Sequence, residues 1–103
     1  MPYKQLQKKA IEIPLEVMET AFNCFESIKK MAEIGNPNAI TDVGVAALCA
    51  RTAVIAAFLN LKINCKSLDA KDFVKNVIVK GQDMVDKAIV YEAEILKAVQ
   101  KKL

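Results

Sequence analysis

The sequence predicts an all-α fold: a bundle of three long helices in a single domain covering residues 1–103. Two observations carry this. Apolar residues recur at helical spacing over long segments, and no segment alternates apolar and polar in the manner of a strand. Turn chemistry is concentrated at two places, Gly35–Pro37 and Lys66–Leu68, which leaves three elements.

The first element runs from about Tyr3 to Ile34. Its apolar residues form two adjacent stripes, Ile11–Leu15–Met18–Phe22–Phe25 and Val17–Ala21–Cys24–Ile28–Met31. Two stripes make a broad face that touches more than one neighbouring helix. Pro14 lies inside the pattern, so a kink or a break into two helices is expected there. Gly35 is placed to stop the helix at its C′ position, and Pro37 prevents continuation.

Thr41 or Asp42 can cap the second element, from about Asp42 to Cys65. Alanines surround most of its circumference, which suits a central helix approached closely from several sides. Gly44 weakens it by about 1 kcal/mol relative to alanine, a cost that a close backbone contact or a ligand would explain. Asn60 and Asn64, one turn apart, read as its C-terminal cap. In the third element, from about Ala70 to Lys101, Asp69 is the expected N-cap and Asp72 adds charge to the first turn. Gly81 marks a helix crossing, and Tyr91 reads as a core residue whose hydroxyl reaches solvent.

Composition bounds the function. A chain of 103 residues buries only about 60–65% of its unfolded surface, yet 53% of its residues are apolar. The excess predicts burial against a partner, a second copy or a ligand, and so a bundle completed by oligomerisation. The net charge of +3 is spread evenly along the chain, unlike the clustered Lys/Arg of a nucleic-acid-binding face. The terminal lysines Lys101 and Lys102 suit a helix C-terminus.

There is no histidine, and the three cysteines, Cys24, Cys49 and Cys65, form no CxxC motif. A zinc site or an imidazole-dependent triad is therefore not expected, nor is any other metal site. The N-terminal MPYKQLQKK lacks an apolar signal core, so the expected compartment is the reducing cytoplasm, with all three thiols free and buried. Val43–Leu61 approaches membrane-spanning length. Arg51 at its middle has no intramembrane partner in sequence, which favours a buried helix over a membrane span.

Few positions could carry chemistry. Asn36, Asn38 and Asp42 cluster before the central helix, and Arg51 lies within it. Arg51 is nine residues beyond Asp42, roughly two and a half turns, on the opposite side of the helix. If the two share a site, Arg51 enters it from another chain. Otherwise Asp42 is an N-cap and Arg51 pairs with a carboxylate of another helix.

The stretch GNPNAITDVGVAALCARTAVIAAFLNLKIN, Gly35–Asn64, resembles a pattern of the formiminotransferase-cyclodeaminase family, GN-x-N-x-x-[ST]-D-x-G-V-A-A…A…LN-x-x-IN. The preceding AIEIPLEVMETA is similar to that family's proline-containing helix, and KSLDAKDFV to its connection into the last helix. The resemblance implies an all-α, usually dimeric domain that acts on a tetrahydrofolate derivative without a covalently bound cofactor. The implied reaction is that of formiminotetrahydrofolate cyclodeaminase or of methenyltetrahydrofolate cyclohydrolase.

It also implies roles for the unusual residues. Asp42 becomes the catalytic carboxylate, serving a cationic amidinium ring or carrying a proton. Asn36 and Asn38 become ligands of the pterin edge, and Arg51 a candidate for the substrate's glutamate tail. The resemblance further implies that this chain corresponds to the C-terminal half of the family domain, because the glycine-rich P-G-G-G-S-A-type segment has no counterpart here. Expected partners are therefore a homodimer or higher homo-oligomer, or a separate chain supplying the other half. The contrasting expectation is a non-enzymatic helical oligomerisation or binding module that keeps the family core.

Overall fold

A computed structural model describes residues 2–103. Among them it contains three α-helices and no strand: α1 (Tyr3–Ile34), α2 (Ile40–Cys65) and α3 (Lys71–Lys101), with one 3₁₀ turn, Pro37–Ala39, joining the first two. The helices run up, down and up. Glu19 and Lys80, 2.6 Å apart, and Lys29 and Glu94, 3.5 Å apart, tie α1 to α3 in parallel. Phe58 of α2 covers Gly81 of α3, and Gly44 faces Val99, an antiparallel register. The resulting rod measures 53 × 22 × 16 Å.

The core is built on seven-residue repeats, as expected where long helices pack side by side. Ile11, Met18 and Phe25 of α1 meet Ala47, Val54 and Leu61 of α2 and Ala88 and Ile95 of α3, all fully or almost fully buried. This is the first of the two stripes on α1. The second is only partly covered: Ile28 is buried, whereas Val17, Cys24 and Met31 are exposed. α2 is apolar around its whole circumference, so periodicity alone does not reveal which of its sides is covered.

Several local expectations are corrected. Of the kink or break expected at Pro14, the break is absent: Pro14 lies buried inside one continuous helix. Its missing N–H frees the Ala10 carbonyl, and the Asn64 side-chain amide of α2 donates to that carbonyl at 2.9 Å. Asn64 therefore ties α1 to α2 instead of capping its own helix, and Asn60 is exposed. α2 ends instead with the Lys66 N–H donating to Ile63 and the Ser67 hydroxyl donating to the Asn64 carbonyl.

Gly35 ends α1 in an extended conformation, φ −50° and ψ 138°, not in a left-handed one. Asn36, held before a proline, is extended as well. A Cβ at position 35 would strike the Met31 carbonyl oxygen, so glycine is still required there. Neither Thr41 nor Asp42 caps α2. The helix opens one or two residues earlier, at Ile40, fed directly by the 3₁₀ turn, and Ala39 occupies the cap without a side-chain bond. Asp69 likewise does not cap α3, whose cap is Ala70, again without a side-chain bond.

Two expectations about glycine hold. Gly81 lies under the Phe58 ring at a helix crossing, and Gly44 faces Leu96 and Val99 of α3. Lys101 falls in the last turn of α3. Lys102 instead reaches back to donate to the Ala32 and Glu33 carbonyls at the end of α1, acceptors with no helical partner of their own. Among the described residues, one helix, Pro37–Cys65, is long and apolar enough to cross a bilayer, with mean hydropathy 1.8. Here it is the central helix, packed between α1 and α3.

Candidate functional site

The polar cluster lies at the end of the bundle where α1 stops and α2 begins. Its shape comes from the 3₁₀ turn. The Asn36 side-chain oxygen accepts the Asn38 N–H at 3.0 Å, and the Asn36 carbonyl accepts the Ala39 N–H at 2.9 Å. Asn36 is thus occupied in holding the turn. Asn38 and Asp42 stand four residues apart across the junction of turn and helix. Both are exposed, and neither side chain has a partner among the described residues. Asp42 lies in the first turn of α2, where the helix dipole favours its negative charge. Together the two present a carboxylate and a side-chain amide to solvent.

Arg51 does not join this cluster. Nine residues along α2 place it about 13 Å further down the axis, and it turns toward α3 to pair with Glu92 at 3.4 Å. This is the interhelical carboxylate that the sequence left unassigned. Glu92 is 6% exposed and is the one buried charged residue among those described. Its signal was present in the periodicity: Glu92 occupies a stripe position between Ala88 and Ile95, where an apolar residue is expected. The Arg51 side chain keeps 38% of its surface exposed.

Two other features escaped the sequence reading. Cys24 and Cys49 are exposed and only Cys65 is buried, because the side of α1 and α2 that carries the first two has no covering helix. Burial pushes the Cys65 thiol above its ordinary pKa. Cys24 and Cys49 both line a groove of about 640 Å³ between α1 and α2, together with Ala46, Ala50 and Ala53. On the opposite side, Phe22, Phe25 and Tyr91 pack with ring centroids 5.7–6.1 Å apart. The Lys29 ammonium lies 4.0 Å from the Tyr91 ring centre, so Tyr91 is half-buried much as its position in the stripe suggested.

The comparisons with known proteins agree on one family. The family described as "Formiminotransferase-cyclodeaminase" matches residues 2–82, which takes in the polar cluster, α2 and the first part of α3. The methenyltetrahydrofolate cyclohydrolase of Methylorubrum extorquens is 29% identical over 93% of this chain and 46% of its own length. The formimidoyltransferase-cyclodeaminase of Rattus norvegicus is 25% identical over 90% of this chain and 17% of its own. That of Dictyostelium discoideum is 32% identical over 79% of this chain and 15% of its own. The chain thus spans just under half the length of the cyclohydrolase and about a sixth of the longer enzymes.

Proposed function

This chain belongs to the formiminotransferase-cyclodeaminase family, and from that premise we propose that it contributes one wall of a site acting on a tetrahydrofolate derivative. The observation that carries the reading is the family match across Asn36–Asp42, a segment where Asn38 and Asp42 are exposed and uncommitted. A pterin edge carries both donors and acceptors, and a side-chain amide matches either. Asn36, already engaged with the Asn38 N–H, acts mainly by holding the turn and offers its remaining amide hydrogens to the ligand.

Asp42 serves the reacting carbon. In the deaminase direction, one folate nitrogen attacks the formimino carbon and a C–N bond forms. The tetrahedral centre then expels its exocyclic nitrogen as ammonia, which requires a proton on that nitrogen, and a methenyl cation remains. In the hydrolase direction, water adds to the methenyl carbon and loses one proton, and one ring C–N bond then opens as the hydroxyl proton passes to the departing nitrogen, leaving the formyl product. Both directions pass a proton and develop or discharge a cation beside the carbon. A carboxylate supports both needs as proton carrier and as counter-charge. Arg51, paired with Glu92, keeps enough exposed surface to meet a substrate carboxylate brought by a neighbouring chain.

The test is calorimetric titration of the chain with a stable reduced folate such as 5-formyltetrahydrofolate, repeated with Asp42→Asn. Saturable binding that weakens about tenfold or more in the variant, at unchanged helicity, supports the reading. Absence of binding by the unaltered chain overturns it. The result would then favour a second reading, a non-enzymatic helical binding module that keeps the family core.

A further inference from the structure

We infer that Lys102 is a positioning residue of the candidate site: from the C-cap of α3 it holds the end of α1, and with it the 3₁₀ turn that presents Asn38. The last four carbonyls of a helix have no donor within the helix. The last turn of α1 carries no basic residue, and Gly35 leaves it extended and not in the left-handed cap that would supply backbone donors. Packing also holds this turn weakly. Of residues 31–34 only Ala32 is buried, while Met31 is 59% and Ile34 83% exposed. The Lys102 ammonium donates to two of the free carbonyls, that of Ala32 at 2.5 Å and that of Glu33 at 3.2 Å. Its charge meets the negative end of the α1 dipole.

The turn depends on what Lys102 holds. Asn36 lies just beyond the clamped carbonyls, and its carbonyl and side-chain oxygens accept the Ala39 and Asn38 N–H groups that shape the turn. An α1 end that frays carries Asn36 away from both bonds. The other side of the site is supported from the same end of α3: Leu96 and Val99 lie against Gly44, which follows Asp42 closely on α2. The last turns of α3 therefore brace α1 through Lys102 and α2 through Val99, and so set the separation of Asn38 from Asp42. This brace lies beyond residues 2–82, over which the family matches, so the match assigns it no role. Its consequence for ligand binding rests on the folate reading, whereas its consequence for the turn does not.

Three variants of the full chain test this: Lys102→Met, Lys102→Arg and Lys101→Met. Lys101 is exposed in the last turn of α3, so its variant removes the same charge from the same helix end and leaves the two bonds to α1 in place. The first readout is exchange of the Asn38 and Ala39 amides with water, followed by NMR without ligand. Lys102→Met should speed both by about fivefold or more at unchanged helicity. Lys102→Arg keeps donors and charge and should restore most of the protection, and Lys101→Met should leave it intact. The second readout is calorimetric titration with 5-formyltetrahydrofolate, in which Lys102→Met alone should weaken binding, by about threefold or more. Amide exchange that Lys102→Met leaves unchanged, or that Lys101→Met speeds equally, overturns the inference. So does a Lys102→Arg chain as fast as Lys102→Met, or folate affinity that Lys102→Met leaves intact. Faster amides in Lys102→Met, beside an unaltered chain that binds no folate, sink the folate reading alone and support Lys102 as the brace of the turn.

Discussion

The side-chain amide of Asn64 donates at 2.9 Å to the carbonyl of Ala10, the acceptor that Pro14, four residues further along α1, leaves without its helical donor. One contact therefore satisfies the carbonyl that the buried proline orphans and ties α1 to α2 at that point. Asn64→Ala should destabilise the chain by about 1 kcal/mol. Pro14→Ala restores an N–H opposite the Ala10 carbonyl, so Asn64→Ala should cost less in that background. Denaturant titrations of the four chains form a double-mutant cycle, and purely additive effects would refute the link.

Two glycines predict opposite signs for the same substitution. A Cβ at Gly81 would lie 2.6 Å from Cδ1 of the Phe58 ring, which is itself buried. Overpacking of about 1–3 kcal/mol then exceeds the roughly 1 kcal/mol that alanine gains in helix propensity, so Gly81→Ala should lower the thermal midpoint. At Gly44 a Cβ would meet Leu96 and Val99 methyls at 3.4–3.5 Å, ordinary contact distances. Gly44→Ala should therefore stabilise by several tenths of a kcal/mol, up to about 1. Calorimetric melting of both variants checks the pair.

The three thiols should separate kinetically. Cys24 and Cys49 are exposed, whereas Cys65 is buried and its thiol is held protonated to a higher pH than usual. Since the thiolate is the reactive form, a colorimetric thiol reagent should modify two groups quickly in the native chain. The third should react only slowly, and all three together in denaturant. Equal rates for all three would contradict the packing of Cys65.

These cases also show what was legible in the sequence. Three helices and the buried α1 stripe followed from spacing, because seven-residue repeats such as Ile11–Met18–Phe25 need no partner to be recognised. Contacts between distant residues did not. Nothing near Asn64 announces a carbonyl on another helix, so it read as a local cap. Asp42 and Asp69 read as caps because their residue types suit that position, yet the helices open at neighbouring residues whose turns require no side-chain cap. The exposure of Cys24 and Cys49 was hidden for a different reason: an all-round apolar α2 offers no polar face to mark its open side. Of the candidate site, the cluster at Asn36–Asp42 was visible as a polar interruption, whereas the Glu92 partner of Arg51 was visible only as an acid out of place in an apolar stripe.

Asp42 offers a test that separates function from folding. Its carboxylate is exposed, makes no hydrogen bond to cap α2, and adds only a favourable placement near the helix N-terminus. Asp42→Asn should therefore cost less than about 1 kcal/mol. A larger loss, seen in denaturant titration, would mean that Asp42 holds the fold, and its loss of ligand binding could not then be read as chemistry.

The pair of Arg51 and Glu92 predicts an asymmetry. Glu92 is buried and Arg51 partly exposed, so the two ends of the 3.4 Å contact do not carry equal weight. Arg51→Met leaves a buried carboxylate without its cation, a change that costs about 3–5 kcal/mol in a fully buried setting. Water reaching the exposed side of Arg51 can partly solvate that carboxylate, so about 2 kcal/mol is the expected loss. Glu92→Leu instead leaves a guanidinium that can turn to solvent, and its apolar side chain continues the Ala88–Ile95 stripe. That variant should lose less, and Arg51→Met combined with Glu92→Leu should recover most of what Arg51→Met alone removes. Urea titration of the three variants decides the matter. If Glu92→Leu proves the more damaging single change, the carboxylate has a role beyond its partnership with Arg51.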